Sequence, residues 1–272
     1  MAIVTPGGHY LGRKRDKPDA HDKRYSVTHA RTVTLPPRVD LRTTRPWYPP
    51  VFDQSTLGSC GPNSADAFNI FLYPEMATTG FSRLQLYYDV RVLEYTVPED
   101  AGVQTRDLFV SLKKTGVAPE PDWPYDISKF TVLPPKQAMT DAGKYKIGSY
   151  SRLVQTASYL NCLATGFPFI LGFECFESID SDQLAQTGVM PYPVRGEQIV
   201  GGHDVLVIGY DMNFTANPDF KRSGIDPRTV SNHALLIRNS WGPDWGLDGH
   251  FYMPLGYATN PSVGGDSWTA RK

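Results

Sequence analysis

Gln54-Ser-Thr-Leu-Gly-Ser-Cys60-Gly-Pro-Asn63 is the stretch whose reading decides the fold. Proline is favoured in the first turn of a helix, where its missing N–H costs nothing, so Gly61-Pro62 predicts a helix that opens at Cys60. The thiol then sits at the positive end of that helix, which favours thiolate. A cysteine alone is more often a packing residue. Two distant stretches reverse that reading: Gly201-Gly-His203-Asp-Val-Leu-Val-Ile-Gly-Tyr210 and Leu236-Ile-Arg-Asn239-Ser-Trp241-Gly242. A thiol, an imidazole and an amide in this order are the parts of a thiol-nucleophile hydrolase.

Each part has a chemical reason. His203 opens an apolar strand beside Gly201 and Gly202, two candidate substrate-binding positions where a substrate backbone can approach closely. The Asn239 amide oxygen can accept from one ring nitrogen of His203, fixing the tautomer and leaving the other nitrogen for the thiol. Trp241 can shield that hydrogen bond from water, though a plain core aromatic would read the same way. Gln54 and the Cys60 backbone N–H are candidate oxyanion donors, and one such donor is worth about 3–4 kcal/mol in a comparable site. His233 competes poorly as the base because it lies in the same strand-like run as Asn239. His9, His21, His29 and His250 look incidental.

The 272 residues suffice for one large domain or two lobes sharing a cleft. No apolar run approaches the ~20 residues of a membrane span, and the N-terminus is too broken for a signal peptide. Cys60, Cys162 and Cys175 make neither a disulfide framework nor a Cys-x-x-Cys pair, so Cys162 and Cys175 are expected to be buried free thiols. A cytoplasmic protein, or one within a particle assembled there, is the expectation. Charge is uneven: residues 1–34 carry seven Lys/Arg against three Asp, and the rest carries 20 against 25. A basic arm on an acidic body can dock in cis, reach for an anionic partner or stay a solvated tail. The expected partner is a protein or peptide substrate, rather than nucleic acid, a membrane or a metal, and no cofactor is implied.

Residues 1–34 lack sustained periodicity and read as an extended arm. A mostly apolar helix runs from Cys60 to just before Pro74, its wide apolar coverage indicating burial in the core. Leu86, Val90, Leu93 and Val97 predict a helical face ending at Pro98. Thr105 is expected to cap a helix closed by Gly116, and Ser151 to open one closed by Gly166. Strands are expected over 167–173, 205–210, 234–238 and 250–253. A helical half holding Cys60 and a β-rich half holding His203 and Asn239 put the site in the cleft between two lobes.

These motifs resemble the papain family of cysteine peptidases, and the interval from position 60 to 203 falls among the roughly 130–150 residues that separate nucleophile and base there. Leu35-Pro-Pro-Arg-Val-Asp-Leu-Arg42 looks like the start of the family's mature domain, and Arg238-Asn239-Ser-Trp-Gly-Pro-Asp-Trp-Gly246 like its asparagine strand and turn. The arm around Gly12-Arg-Lys-Arg-Asp-Lys-Pro, the segment Trp123-Pro-Tyr-Asp126 and the ending Asp266-Ser-Trp268 resemble the compact bacterial and viral branch. The resemblance implies an α+β, papain-like two-lobe fold. A helical L-lobe would span about 50–145 and a β-barrel R-lobe about 146–272, with 35–49 crossing over, so the peptidase domain would be 35–272 with a basic, regulatory arm over 1–34 before it. It also implies peptide-bond hydrolysis by a Cys60–His203 pair and makes Gly102 the cleft-edge glycine that pairs with substrate backbone. Leu57 stands where secreted members carry a disulfide cysteine, and Gly61-Pro62 replaces the usual aromatic run. The arm is also shorter than the family's inhibitory prodomain. Two rivals remain: a transglutaminase-like acyl-transferase, disfavoured by Asn239 in place of an acidic residue, and a catalytically retired binding or virion module.

Overall fold

The computed structural model describes residues 2–26 and 34–272. The expectation for His29, and that for 27–33 of the arm, lie outside the described residues. Among the described residues, short strands β1 (Ile3–Val4), β2 (Tyr10–Leu11) and β3 (Arg13–Lys14) precede β4 (Arg38–Asp40). Helices α1 (Cys60–Leu72) and α2 (Arg83–Leu93) follow, then β5 (Val103–Gln104), α3 (Thr105–Lys114) and α4 (Lys136–Ala142). The second half contains β6 (Ser149–Leu153), α5 (Thr156–Ala164), β7 (Phe169–Phe176), β8 (Ile199–Asp211), β9 (Ala234–Arg238), β10 (His250–Pro254) and β11 (Asp266–Arg271).

One antiparallel sheet of seven strands dominates, in the order β10-β9-β8-β7-β11-β6, with β4 also paired to β8. Strand β8 is long because Gly201 and Gly202 continue the ladder with β7, where Phe173 faces His203 and Glu174 faces Gly202. Helix α1 is buried on nearly every side, as its composition requires, and packs on β8. The fold is thus α+β, with helices of the first half against the sheet of the second.

Three local expectations fail for identifiable reasons. Helix α2 stops at Leu93, not near Pro98, because Tyr95 turns left-handed at φ 58°. The Thr96 N–H bonds back to the Arg91 carbonyl at 2.9 Å, and the Arg91 guanidinium takes up the carbonyls of Val97 and Glu99 at 2.6 and 3.0 Å. The cap position of α3 is Gln104, while Thr105 Oγ1 donates instead to Asp204 Oδ1 at 2.7 Å. Ser151 lies in β6 opposite Thr269 of β11, and α5 begins at Thr156 with the Ser158 hydroxyl accepting from Gln155 N–H at 3.2 Å. A sheet edge completed from far along the chain overrode the local helix signal. The three cysteines are free and buried.

Residues 2–26 lie on the body along their length. Lys14 Nζ pairs with Glu94 at 2.6 Å. Asp22 receives both a two-pronged contact from Arg106, at 2.7 and 2.8 Å, and Arg152 at 3.1 Å. Asp16 accepts from Trp268 Nε1 at 2.8 Å and from the Arg106 N–H at 3.0 Å. Burial raises the Asp16 carboxyl to about 6, with the neighbouring Asp266 charge adding to the shift. Trp268→Phe keeps the buried ring but removes the N–H, leaving Asp16 with an unmet acceptor at a cost of about 1–3 kcal/mol. Urea melts should show that loss, and limited proteolysis should cut residues 17–26 sooner than in the parent chain.

Candidate active site

The start of α1, the middle of β8 and the end of β9 converge. Cys60 is the first residue of α1, and its Sγ accepts the N–H of Asp204 at 3.4 Å. His203, one residue earlier on β8, has Nε2 2.8 Å from Asn239 Oδ1. Nδ1 has no hydrogen-bond partner among the described residues, so it is the ring nitrogen left for the thiol. Trp241 stacks on the His203 ring at 5.0 Å and covers its bond to Asn239. His203 and Asn239 are buried together, as a shielded hydrogen bond requires.

Gln54 is pinned from both ends. Its Oε1 accepts from Ser240 Oγ at 2.7 Å, and its backbone N–H donates to the Ser240 carbonyl at 2.8 Å. Its Nε2 donates to the Leu57 carbonyl and to the Tyr10 carbonyl of the arm, both at 2.9 Å. Tyr125 braces the intervening loop, its hydroxyl donating to the Gln54 carbonyl at 2.8 Å and lying 2.5 Å from Ser59 Oγ. The Gly58 N–H reaches the Asp100 carboxylate at 3.1 Å.

The arm crosses this centre. The His9 ring stacks on Trp241 at 3.9 Å and 6°, on a tryptophan that also stacks on His203. Gly12 passes so close to the nucleophile loop that a Cβ there would stand 1.8 Å from the Gly58 carbonyl oxygen. Its carbonyl accepts the Val103 N–H at 2.7 Å, and Arg13–Lys14 pair in parallel with Val103–Gln104. Gly102, left-handed at φ 65°, would drive a Cβ to 2.1 Å from the Gly12 oxygen, so both chains need glycine where they meet. Gly201 and Gly202 face the same arm, near Leu11 and Arg13.

Enclosure changes the ionisation expected from the helix end. Burial pushes the Cys60 thiol up to about 12, with the Asp204 charge adding to it and the N–H groups of Asp204, Gly12 and Gly61 opposing it. Burial also pulls the His203 imidazole down to about 4 against the raising effect of Asn239. In this enclosed arrangement burial works toward a neutral thiol and a neutral imidazole, while the N–H groups that face Cys60 work toward the thiolate that the helix terminus favours. His233 is exposed and remote from this centre, its carbonyl bonded to the Leu255 N–H at 2.9 Å. His21 is exposed beside Asp19 at 2.9 Å. His250 is buried behind Asn239, with Nε2 2.8 Å from the Tyr48 hydroxyl. His9 is not incidental. Neither it nor the Tyr10 carbonyl was foreseen, because one is a lone histidine in an aperiodic arm and the other is a backbone atom. Among the described residues, no group of three or more His, Cys, Asp and Glu side chains could hold a metal.

This geometry belongs to a thiol-hydrolase class, and the comparisons with known proteins agree. The papain family cysteine protease model matches residues 35–264. An uncharacterized peptidase C1-like protein of Acanthamoeba polyphaga mimivirus is 33% identical, covering 95% of this chain and 85% of its own length. The crystal structure of xylellain, a cysteine protease from Xylella fastidiosa, superposes with a TM-score of 0.82 at 32% identity, covering 99% of this chain and 97% of that one. A procathepsin B from Trypanosoma congolense, 16% identical with a TM-score of 0.68 over 96% of this chain and 86% of its own, shares the fold. The chain belongs to the papain family of cysteine proteases.

The enclosed thiol carries a measurable signature. Alkylation of Cys60 by iodoacetamide in the intact chain should be slow at neutral pH and climb by roughly tenfold per pH unit toward pH 10, as thiolate forms. Peptide mass spectrometry after timed quenching reads the rate. A plateau already reached between pH 7 and 8 would mean that the thiolate exists in the closed chain.

Proposed function

We propose that the protein is a cysteine endopeptidase in which Cys60, His203, Asn239 and Gln54 perform the chemistry, and in which the arm closes the cleft until it is displaced. The observation that carries the reading is the His203 Nε2–Asn239 Oδ1 bond of 2.8 Å beneath Trp241, with the next residue's N–H on Cys60 Sγ. Proton transfer from Cys60 to His203 Nδ1 generates the nucleophile, and sulfur adds to the substrate carbonyl. The resulting oxyanion takes donors from Gln54 Nε2 and the Cys60 N–H. Collapse of the adduct breaks the C–N bond, the amine leaves with the proton from His203, and water then hydrolyses the thioester with His203 as base.

The arm cannot be a good substrate in this pose. The leaving amine takes its proton from His203, so the carboxyl-terminal side of a substrate lies over His203 and Trp241. Its acyl side then lies along Cys60 and Gly102. In the arm, His9 lies on Trp241 and Arg13 beside Val103, so its chain runs in the opposite direction. Its Tyr10 carbonyl meanwhile occupies Gln54 Nε2, a donor that the oxyanion requires. The basic arm and acidic body add attraction, screened beyond about 8 Å at physiological salt.

Cys60→Ala should abolish hydrolysis of a peptide amide with the melting temperature held, whereas Cys162→Ala and Cys175→Ala keep activity. His203→Ala should lose nearly all turnover, Asn239→Ala should lose less because it orients without exchanging a proton, and His233→Ala should be mild. Activity persisting in Cys60→Ala would refute the assignment, and binding of peptides without cleavage by the parent chain would identify a retired module. The arm is tested separately by Gly12→Ala, whose methyl has no room against Gly58. Turnover of a short fluorogenic peptide should rise severalfold, most clearly at high salt, where the remaining charge attraction is weakest. Unchanged kinetics with a lower melting temperature would make the arm a structural strap.

A further inference from the structure

Arg13 is buried in acid. Its side chain is 1% exposed, with Nη1 2.7 Å from Glu174 Oε1 and Nη2 against Asp266 Oδ2. A third carboxylate, Asp204, stands beside it: a Cβ placed on Gly172 would lie 2.8 Å from Arg13 Nε and 2.9 Å from Asp204 Oδ1. Asp204 is fully buried, and its Oδ2 has no hydrogen-bond partner among the described residues. Arg152 pairs with the far oxygen of Asp266 at 3.0 Å, and the Asp16 N–H reaches the near one at 2.9 Å. Among the described residues Glu174 pairs with no cation other than Arg13, and burial raises the Asp204 carboxyl to about 7 against the lowering effect of the Arg13 charge. Buried carboxylates without a counter-charge are costly, and this cavity therefore demands a cation. Its two contacts at separate carboxylates suit a planar guanidinium fork better than an ammonium.

The cavity adjoins the chemistry. Asp204 follows His203, its N–H touches Cys60 Sγ, and its Oδ2 would lie 2.9 Å from a Cβ on Gly61. Gly12 lies over Gly58 and its N–H favours the Cys60 thiolate, so it covers the place of the residue that supplies the scissile carbonyl. Arg13 is the next residue outward, with its carbonyl oxygen 2.8 Å from where a Gly202 Cβ would stand. A side chain enters such a pocket whichever way its backbone runs.

We propose that this pocket selects the substrate: when the arm withdraws, the space left by Arg13 receives an arginine side chain at the second residue on the acyl side of the scissile bond. Glu174, Asp204 and Asp266 are the specificity-determining residues, and Arg13 is the arm's imitation of the substrate. The inference rests on the peptidase reading above.

The test uses full-length chains and fluorogenic acyl-dipeptide amides that differ only at the second residue from the cleaved bond: arginine, lysine, leucine or phenylalanine. The arginine substrate should exceed the leucine one by about tenfold or more in kcat/KM, because pocket carboxylates left unpaired penalise an apolar side chain. In Asp266→Asn and Glu174→Gln the arginine-to-leucine ratio should fall by a similar factor. A preference for leucine or phenylalanine in the parent chain, or an unchanged ratio in both variants, overturns the proposal.

Absence of turnover on every substrate would instead indict the peptidase reading, and the pocket is then read without catalysis. Ethylguanidine should raise the melting temperature of Arg13→Ala by filling the vacated space, but not that of the parent chain or of Arg13→Ala/Asp266→Asn. Arg13→Met, which keeps the aliphatic stem, replaces Arg13→Ala if the latter does not fold. No stabilisation of either single variant overturns the pocket whatever the activity result.

Discussion

The Asp204 N–H on Cys60 Sγ, 3.4 Å apart, is the contact on which the rest depends. It fixes the first residue of a buried helix to the middle strand of the sheet, so that residues 144 positions apart share a site. A second bond, from Ser64 Oγ to the Asp204 carbonyl at 3.1 Å, holds the next helical turn to the same point of β8. With helix and strand locked together, the His203 ring has one direction in which to face. The Asn239 amide and the Trp241 ring, arriving at the end of β9, then close it in. Close packing makes such a junction stiff, since neither element can slide without opening voids in the core.

The residues that meet at the candidate site were legible because each announces itself locally. Gly61-Pro62 marks a helix start, Gly201-Gly202 clears space before His203, and Asn239 ends an apolar strand before Ser-Trp-Gly. The strand over 234–238 agrees with its sequence pattern at both ends, for the same reason. What could not be read depends on distant partners. Ser151 carries a helix-start signal that loses to pairing with Thr269, and Thr105 gives its hydroxyl to Asp204 rather than to its own helix. The path of the arm is the extreme case. Its partners include Asp180, Glu174 and Asp266, and polar contacts at such separations leave no periodic trace along the chain.

The arm's contacts are costly ones to build from. Arg13, Asp16, Asp22 and Arg106 surrender water, and buried or half-buried ion pairs seldom return more than the desolvation they incur. They do impose register, because a slip by one residue would leave several charges without partners. The same enclosure disfavours charge separation between Cys60 and His203, since burial raises the thiol and lowers the imidazole. Geometry and ionisation act together here, since the segment that hides the sulfur also removes the water that would support a thiolate.

Strand β11 sits between β7 and β6, and it brings Asp266 and Trp268 to the arm. The Asp16 N–H and the Asp266 carboxylate that it meets are 250 positions apart. A ribosome makes residue 16 long before residue 266, so the arm spends most of synthesis without this one of its anchors and the acidic cavity without its floor. Edge strand β6 likewise has no partner in the sheet until β11 is inserted between it and β7. Cavity and cover thus share one late requirement: neither the Asp16–Asp266 contact nor the Arg13–Asp266 pair can form before β11 has been made.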